Sequence, residues 1–318
     1  HVKNEPGRSW AYWRKNVNPT YGCGWGTYGV DLNRNSSFEW LPPGFQDATC
    51  DETYPGPSAR SESETDAIEA FARSLFPDQR PSDLWTPAPD DATGVFITLH
   101  SYSNLVLWPW SHTYDAAPND GQLARLGGNL ASFNGYRPQQ ASDLYPAAGT
   151  TDGYTYGELG VASYTFEIGA SNDGFYPPCS RYDALVQPNL DALLYAARVA
   201  RTPYQLAFGP DVLTMHGPAA VMAPLHGGLP FSATLGYRGW SGPVITGAEA
   251  YVDRPPWQGG TGIPLAPVDG AFDASKETVA GVTSPTLSIG RHLLYARGRG
   301  ENGRWGPVSA AFVDVRTP

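Results

Sequence analysis

A change of pattern near Arg201 divides the 318-residue chain into two unlike halves. Before it, helical and strand patterns alternate. Ser61-Glu62-Ser63-Glu64 reads as a capping box, and Ile68, Phe71, Ala72 and Leu75 then recur on one helical face until Pro77 ends the run. A second helix is expected from near Asp120 through Leu123, Leu126 and Leu130, stopping before Gly135. A third is expected to start at Pro188 and to turn Leu190, Leu193, Leu194 and Ala197 inward. Between them, the apolar runs 94–99 and 162–166 read as buried strands. Alternating helices and apolar strands predict an α/β fold, a mixed β-sheet flanked by helices.

After Thr202-Pro203 the chain is rich in Gly and Pro and carries short alternating strands. Phe231, Ala233, Leu235 and Tyr237 alternate with polar or small residues, the pattern of a half-buried strand. The run His292 to Arg297, the turn Glu301-Asn302-Gly303 and the run Val308, Ala310, Phe312 predict a closing hairpin. Residues 204–318 are therefore expected to form an all-β sandwich of immunoglobulin or fibronectin type, following an α/β domain over residues 1–203.

Composition narrows the partners. A formal net charge of −10 with only 21 Lys and Arg argues against nucleic acid, which needs clustered cations. No apolar run is long enough to span a bilayer. The three cysteines, Cys23, Cys50 and Cys179, lack metal-binding spacing; one oxidised pair with one thiol left over is the simpler reading and favours a secreted protein. The chain opens on His1 rather than Met, which predicts a processed, trimmed or excised polypeptide.

Four stretches carry groups capable of chemistry: Trp13-Arg14, the run Gly29-Val-Asp-Leu-Asn33-Arg34-Asn35, Leu99-His100-Ser101-Tyr102-Ser103, and the span from Leu144-Tyr145 to Phe166-Glu167. Taken singly, each has a plain reading. A histidine at a strand end is commonly structural, and an arginine between asparagines can organise a turn. Glu167 is harder to dismiss, because a carboxylate after an apolar strand is costly to bury without a partner or a role.

In this order and spacing, with Pro138-Gln-Gln-Ala-Ser-Asp-Leu-Tyr145 and 22 residues from Tyr145 to Glu167, the stretches resemble the M14 zinc metallocarboxypeptidases. The resemblance extends to about residue 205 and is strongest to the bacterial carboxypeptidase T type. It implies an exopeptidase that hydrolyses the C-terminal peptide bond of peptides with a free C-terminus. His100 would be one zinc ligand, Glu167 the general base, and Arg14 the group that polarises the scissile carbonyl. Asn33 and Arg34 would hold the terminal carboxylate, Tyr145 would close over the bound residue, and Ser101 and Tyr102 would line the approach. Recognising a carboxylate at a fixed distance from the reacting carbonyl selects only the last bond.

Asp152 stands where the family places its pocket floor, and an acidic residue there, as in carboxypeptidase B, implies a preference for C-terminal Lys or Arg. Ser111 also resembles the B-type pocket, while Asp143 matches an acidic residue of the broadly specific T type, which implies some apolar tolerance. The plain alternative is that Asp152 only supports a turn in Gly149-Thr-Thr-Asp-Gly153. Related bacterial enzymes carry cysteines around the Asn-Arg loop, which implies a Cys23–Cys50 disulfide.

The chain also departs from the family. No His-x-x-Glu motif, the source of two further zinc ligands, occurs among its six histidines His1, His100, His112, His216, His226 and His292. One histidine cannot hold a catalytic zinc ion by itself. The family's first strands are expected to lie outside this sequence, on an N-terminal fragment associated with it. Calcium occurs in carboxypeptidase T-like enzymes, but this chain offers no evident ligand set. The competing reading is a non-catalytic peptide- or polysaccharide-binding protein of the same fold. Aromatic residues such as Trp240, Trp257 and Trp305 could supply a sugar surface, or fill the sandwich core.

Overall fold

Strand formation follows the apolar runs. In the computed structural model, which describes residues 14–21, 23, 27–46, 48–223, 228–283 and 287–317, the chain divides into two compact units. One comprises His1–Gly127 and Arg137–Pro178, the other Gly128–Tyr136 and Cys179–Pro318. Trp13, His1 and His226 lie outside the described residues.

The first unit contains helix α1 (Ser63–Leu75), strands β1 (Val95–His100) and β2 (Leu105–Trp108), the start of helix α2 (Asp120–Asn134), strand β3 (Arg137–Gln140), helix α3 (Thr151–Gly157) and strand β4 (Ala162–Glu167). The strands form a mixed sheet in the order β1-β4-β2-β3. β4 is central, and all six of its residues are buried, which is why it reads as an apolar run without alternation. It pairs parallel with β1 and antiparallel with β2. Trp108 donates its indole N–H to Asp120 at 2.8 Å and Tyr164 donates to the Leu123 carbonyl at 2.9 Å, tying α2 to the sheet.

Helix α1 corrects two expectations. Its N-cap is Glu62, with no side-chain capping bond, because the Glu62 carboxylate is taken by Asn16, Asn18, Tyr21 and Ser61. The apolar face read from the sequence is also mostly turned outward: Ile68, Phe71 and Leu75 are exposed, while Ala72, its fourth member, is buried with Thr65 and Glu69. Glu69 decides this orientation by accepting from the backbone and hydroxyl of Ser37 and pairing with Arg60 at 3.2 Å.

In the second unit, helix α4 (Tyr182–Val199) begins six residues before Pro188 and runs through it. The proline lacks the N–H that would bond the preceding turn, so its place inside a helix has to be offset by packing. Ala192, Tyr195, Ala196 and Val199 provide that packing, whereas Leu190 and Leu194, expected inside, are exposed. The strands that follow are β5 (Asp211–His216), β6 (Ala220–Met222), β7 (Pro230–Gly236), β8 (Ile245–Val252), β9 (Ile263–Pro264), β10 (Ala266–Pro267), β11 (Glu277–Val282), β12 (Gly290–Gly300) and β13 (Ser309–Arg316). They form two sheets, β10-β11-β7-β5 and β6-β13-β12-β8-β9. Phe231, Ala233 and Leu235 of one sheet share a core with Ala248, Ala250, Leu294 and Val313 of the other, a sandwich arrangement. The expected closing hairpin is the β12–β13 pair, with Leu293 opposite Phe312.

A charged group is built into this sandwich. His292, at the start of β12, places Nδ1 2.7 Å from the Asp253 carboxylate and Nε2 2.8 Å from the Ser288 carbonyl. Both ring nitrogens face acceptors, so the imidazolium is favoured. The Asp253 hydrogen bond, followed by the Ser288 bond, raises the His292 pKa against the opposing effect of burial. The folded-state value lies above the unfolded one, so this contribution is complete below the ordinary pKa of about 6.5 and is lost as pH climbs through the raised value. The denaturation midpoint should fall over that window by the equivalent of about 0.5–1 kcal/mol, the range for a pair with one exposed partner. His292→Gln should abolish this pH dependence, which chemical denaturation at a series of pH values would measure.

Candidate active site

The parallel register of β1 and β4 sets the centre of the site. His100 and Glu167 are the last residues of their strands and lie directly opposite one another as register partners. A sheet's carboxyl edge is the usual place for a ligand in an α/β fold, because loops leave the layers there. Around these two residues opens a cleft of about 290 Å3. Arg14, Asn33, Arg34, Ser101, Tyr102, Ser111, Tyr145 and Asp152 all line it with His100 and Glu167. Asp143 does not: it is exposed, at the end of a 3-10 turn over Ala141–Asp143, and lies off the cleft wall.

Asp31 joins two parts of the wall. Its carboxylate accepts from Arg14 at 2.7 Å, and it also caps the 3-10 turn Leu32–Arg34 by accepting the Asn33 N–H at 3.1 Å. The side-chain oxygen of Asn33 accepts from the Thr151 backbone at 3.0 Å, which fixes it against the start of α3. Gly149 permits this approach. It adopts φ +62°, and a Cβ there would stand 2.2 Å from the Arg34 carbonyl. Arg34 is 8% exposed, donates to the Asn33 carbonyl at 2.6 Å, and lies 5.9 Å from the centre of the Tyr145 ring. Tyr145 is half exposed at the mouth.

The charges in the cleft act on one another. Burial raises the Glu167 pKa to about 7; Arg14 opposes this and Asp152 adds to it. Burial lowers that of His100; Asp152 and Asp31 oppose this, while Arg14 and Arg34 add to it, so the neutral imidazole is favoured. A neutral imidazole beside a carboxylate can ligate a metal. Among the described residues, however, no three His, Cys, Asp or Glu side chains converge to hold one. The donor set of these residues does not fit a catalytic zinc ion without further ligands.

Asp152 is 2% exposed, and its Oδ2 has no hydrogen-bond partner among the described residues. It does not cap α3; Thr150 does, accepting the Gly153 N–H at 3.2 Å. The turn-supporting role is therefore already filled by another residue. Ser111 and Thr150 stand together on this side of the cleft, with their hydroxyls 3.4 Å apart.

Cys23 and Cys50 form a disulfide across a separation of 27 residues, and Cys179 is a free, exposed thiol. The closed loop contains Asn33 and Arg34. Closing a loop of this length limits the unfolded chain by roughly 3–4 kcal/mol. The Cys23→Ser, Cys50→Ser double variant should lose stability of that order in urea denaturation, while the same denaturation under reducing conditions should bring the parent protein down to match.

Sequence reading did not find Leu107, Leu144, Thr165 or Phe175, which also line the cleft. Thr165 was detectable, since it lies two residues before Glu167 and strand residues two apart share a face. Phe175, which meets Tyr102 edge to face at 4.8 Å between ring centres, gives no local signal.

An arginine-lined cleft with a buried carboxylate at a strand end suits hydrolysis at a carbonyl, the class of chemistry to which zinc peptidases belong. The zinc carboxypeptidase family profile, Peptidase_M14, matches residues 3–192, more than half of the chain, and the chain belongs to that family. Human carboxypeptidase B is 32% identical over 195 residues, covering 58% of this chain and 43% of its own length. A zinc carboxypeptidase of Saccharothrix mutabilis subsp. capreolus is 47% identical over 89 residues, covering 26% of this chain and 20% of its own. Among solved structures, carboxypeptidase A from Helicoverpa armigera aligns with a TM-score of 0.46 at 23% identity, covering 60% of this chain and 46% of that one. The chain spans less than half the length of these relatives. Family membership implies zinc, and of the expected zinc ligands the described residues contain His100.

Proposed function

We propose that this chain supplies most of the substrate cleft of a secreted carboxypeptidase that removes C-terminal Lys or Arg, with some tolerance for apolar residues. In this reading residues 1–203 carry the catalytic role and residues 204–318 form an accessory module. Arg34 and Asn33 hold the terminal carboxylate of the peptide, and Tyr145 covers the bound residue. Arg14 stabilises charge developing on the scissile carbonyl oxygen, and Glu167 takes a proton from the attacking water. One zinc ion, with His100 among its ligands, is the cofactor of this reading. An associated N-terminal segment would provide the other ligands. The exposed Ile68, Phe71 and Leu75 face of α1, and the position of β1 at the edge of its sheet, support such a covering segment.

The observation that carries the specificity is the buried Asp152 carboxylate within the cleft, whose Oδ2 has no hydrogen-bond partner among the described residues. A buried anion without a donor is costly, and a cationic side chain entering from the substrate would relieve it. Comparing release of Arg and Phe from otherwise identical blocked dipeptides tests this reading. Faster release of Phe would overturn the Lys/Arg preference.

The incomplete metal-ligand set among the described residues favours one alternative, a non-catalytic peptide-binding protein of the same fold. Denaturing mass spectrometry with zinc analysis on the purified protein separates the two. A co-purifying polypeptide bearing His-x-x-Glu and one equivalent of zinc supports the enzyme; this chain alone without zinc supports the binding protein.

A further inference from the structure

The disulfide-closed loop shapes a second concavity that the proposed reaction leaves unused. Trp40, Leu41 and Phe45 of the loop, with Pro146 just after Tyr145, line a cleft of about 250 Å3. Trp40 is held in place by donating its indole N–H to the Pro55 carbonyl at 3.0 Å. Arg34 and Tyr145 line this cleft and also the one containing Glu167 and Asp152, so they form a wall common to both.

Two observations indicate what this rear cleft would take. Trp40, Leu41 and Phe45 are only partly buried, so apolar ring surface faces a concavity rather than the core. Such surface is what a small apolar ligand covers. The nearly buried Arg34 guanidinium also forms no ion pair with a carboxylate among the described residues. A guanidinium carries five N–H donors in a planar fork, and one carboxylate uses two of them. The group can therefore meet an anion from the rear cleft as well as one from the front. Gln46 and Thr53 supply neutral polar groups to the same cleft.

We propose that the rear cleft binds a small aryl-alkyl carboxylate, with its ring against Trp40 and Phe45 and its carboxylate on Arg34. Binding there places a second anion on the same guanidinium, whose repulsion weakens the hold on the terminal carboxylate of a peptide and so raises KM. The KM effect rests on the role proposed above for Arg34; the binding itself does not.

The test titrates 4-fluorophenylacetate into the full protein and follows its fluorine resonance by NMR. The neutral 4-fluorophenylacetamide serves as the charge control, and Phe45→Ser as the cleft variant. The expected result is saturable line broadening with the acid. Affinity should be about tenfold weaker for the amide, which loses a charge-assisted hydrogen bond. It should also be about tenfold weaker for Phe45→Ser, which loses the ring contact. In peptide hydrolysis, the acid should raise KM for the parent protein and not for Phe45→Ser, whose own kcat and KM match the parent. If the acid binds Phe45→Ser as tightly as the parent, it occupies the front cleft and the proposal falls. It falls equally if no saturable broadening appears. Saturable binding that depends on Phe45 but leaves KM unchanged upholds the rear cleft and overturns the assignment of Arg34 to the peptide carboxylate.

Discussion

Exchange of Glu167 for Gln should lower kcat on a C-terminal peptide substrate by about three orders of magnitude, within the usual range for loss of a general base. Glutamine keeps the size of the side chain and can still hydrogen-bond, but it cannot take up a proton from water. KM should change little, because the groups proposed to grip the peptide, Asn33 and Arg34, belong to a different segment held by Asp31 and Thr151. Stability provides an internal control. The carboxylate sits 9% exposed, with its pKa raised by burial, so the neutral amide removes a desolvation cost and should leave the melting temperature unchanged or higher. A variant that melts normally and retains kcat within tenfold of the parent would show that Glu167 is not the base.

Replacing Asp152 with Asn or Leu should redirect specificity. Losing the anion that faces a buried cationic side chain costs about 3–4 kcal/mol, so kcat/KM for a C-terminal Arg substrate should fall by roughly two to three orders of magnitude. Release of an apolar residue should be unchanged with Asn and should rise with Leu, whose side chain makes the pocket apolar. Because Asp152 Oδ2 has no partner, the Asn variant should also be more stable than the parent, by about 1–3 kcal/mol. Gain of stability together with loss of Arg hydrolysis is the trade expected of a residue kept for function. An equal loss on Arg and Phe substrates would mean that Asp152 acts by shaping the loop rather than by its charge.

How much of this could be read in advance varied with the range of the interaction. The second helix was legible because Leu123, Leu126 and Leu130 share one face and are all fully buried. The strand at 231–235 was legible for the same kind of reason, since its alternation matches a sheet with one face in the core. Helix α1 was legible as a helix but not in its orientation. Its apolar stripe is real in the sequence, yet Glu69 is bound by Ser37 and Arg60, and those bonds turn the stripe outward. The start of α4 was missed because Pro188 looks like a first helical position, and only packing around Tyr195 and Val199 shows that the helix begins earlier.

The sequence by itself determined the α/β half and the sandwich half, because periodicity is a local property of the chain; the candidate site residues came from the resemblance of four short stretches, in order and spacing, to a known family. It also singled out Cys23 and Cys50, through their resemblance to related enzymes. The tertiary structure alone decided that His100 lies opposite Glu167, since strand register is set by pairing between segments far apart in sequence. It alone left Asp152 Oδ2 without a partner among the described residues, excluded Asp143 from the cleft wall and placed Arg34 between two clefts. Each of these depends on which distant groups arrive beside a side chain and which hydrogen bonds they take first, and a linear pattern carries no record of that competition.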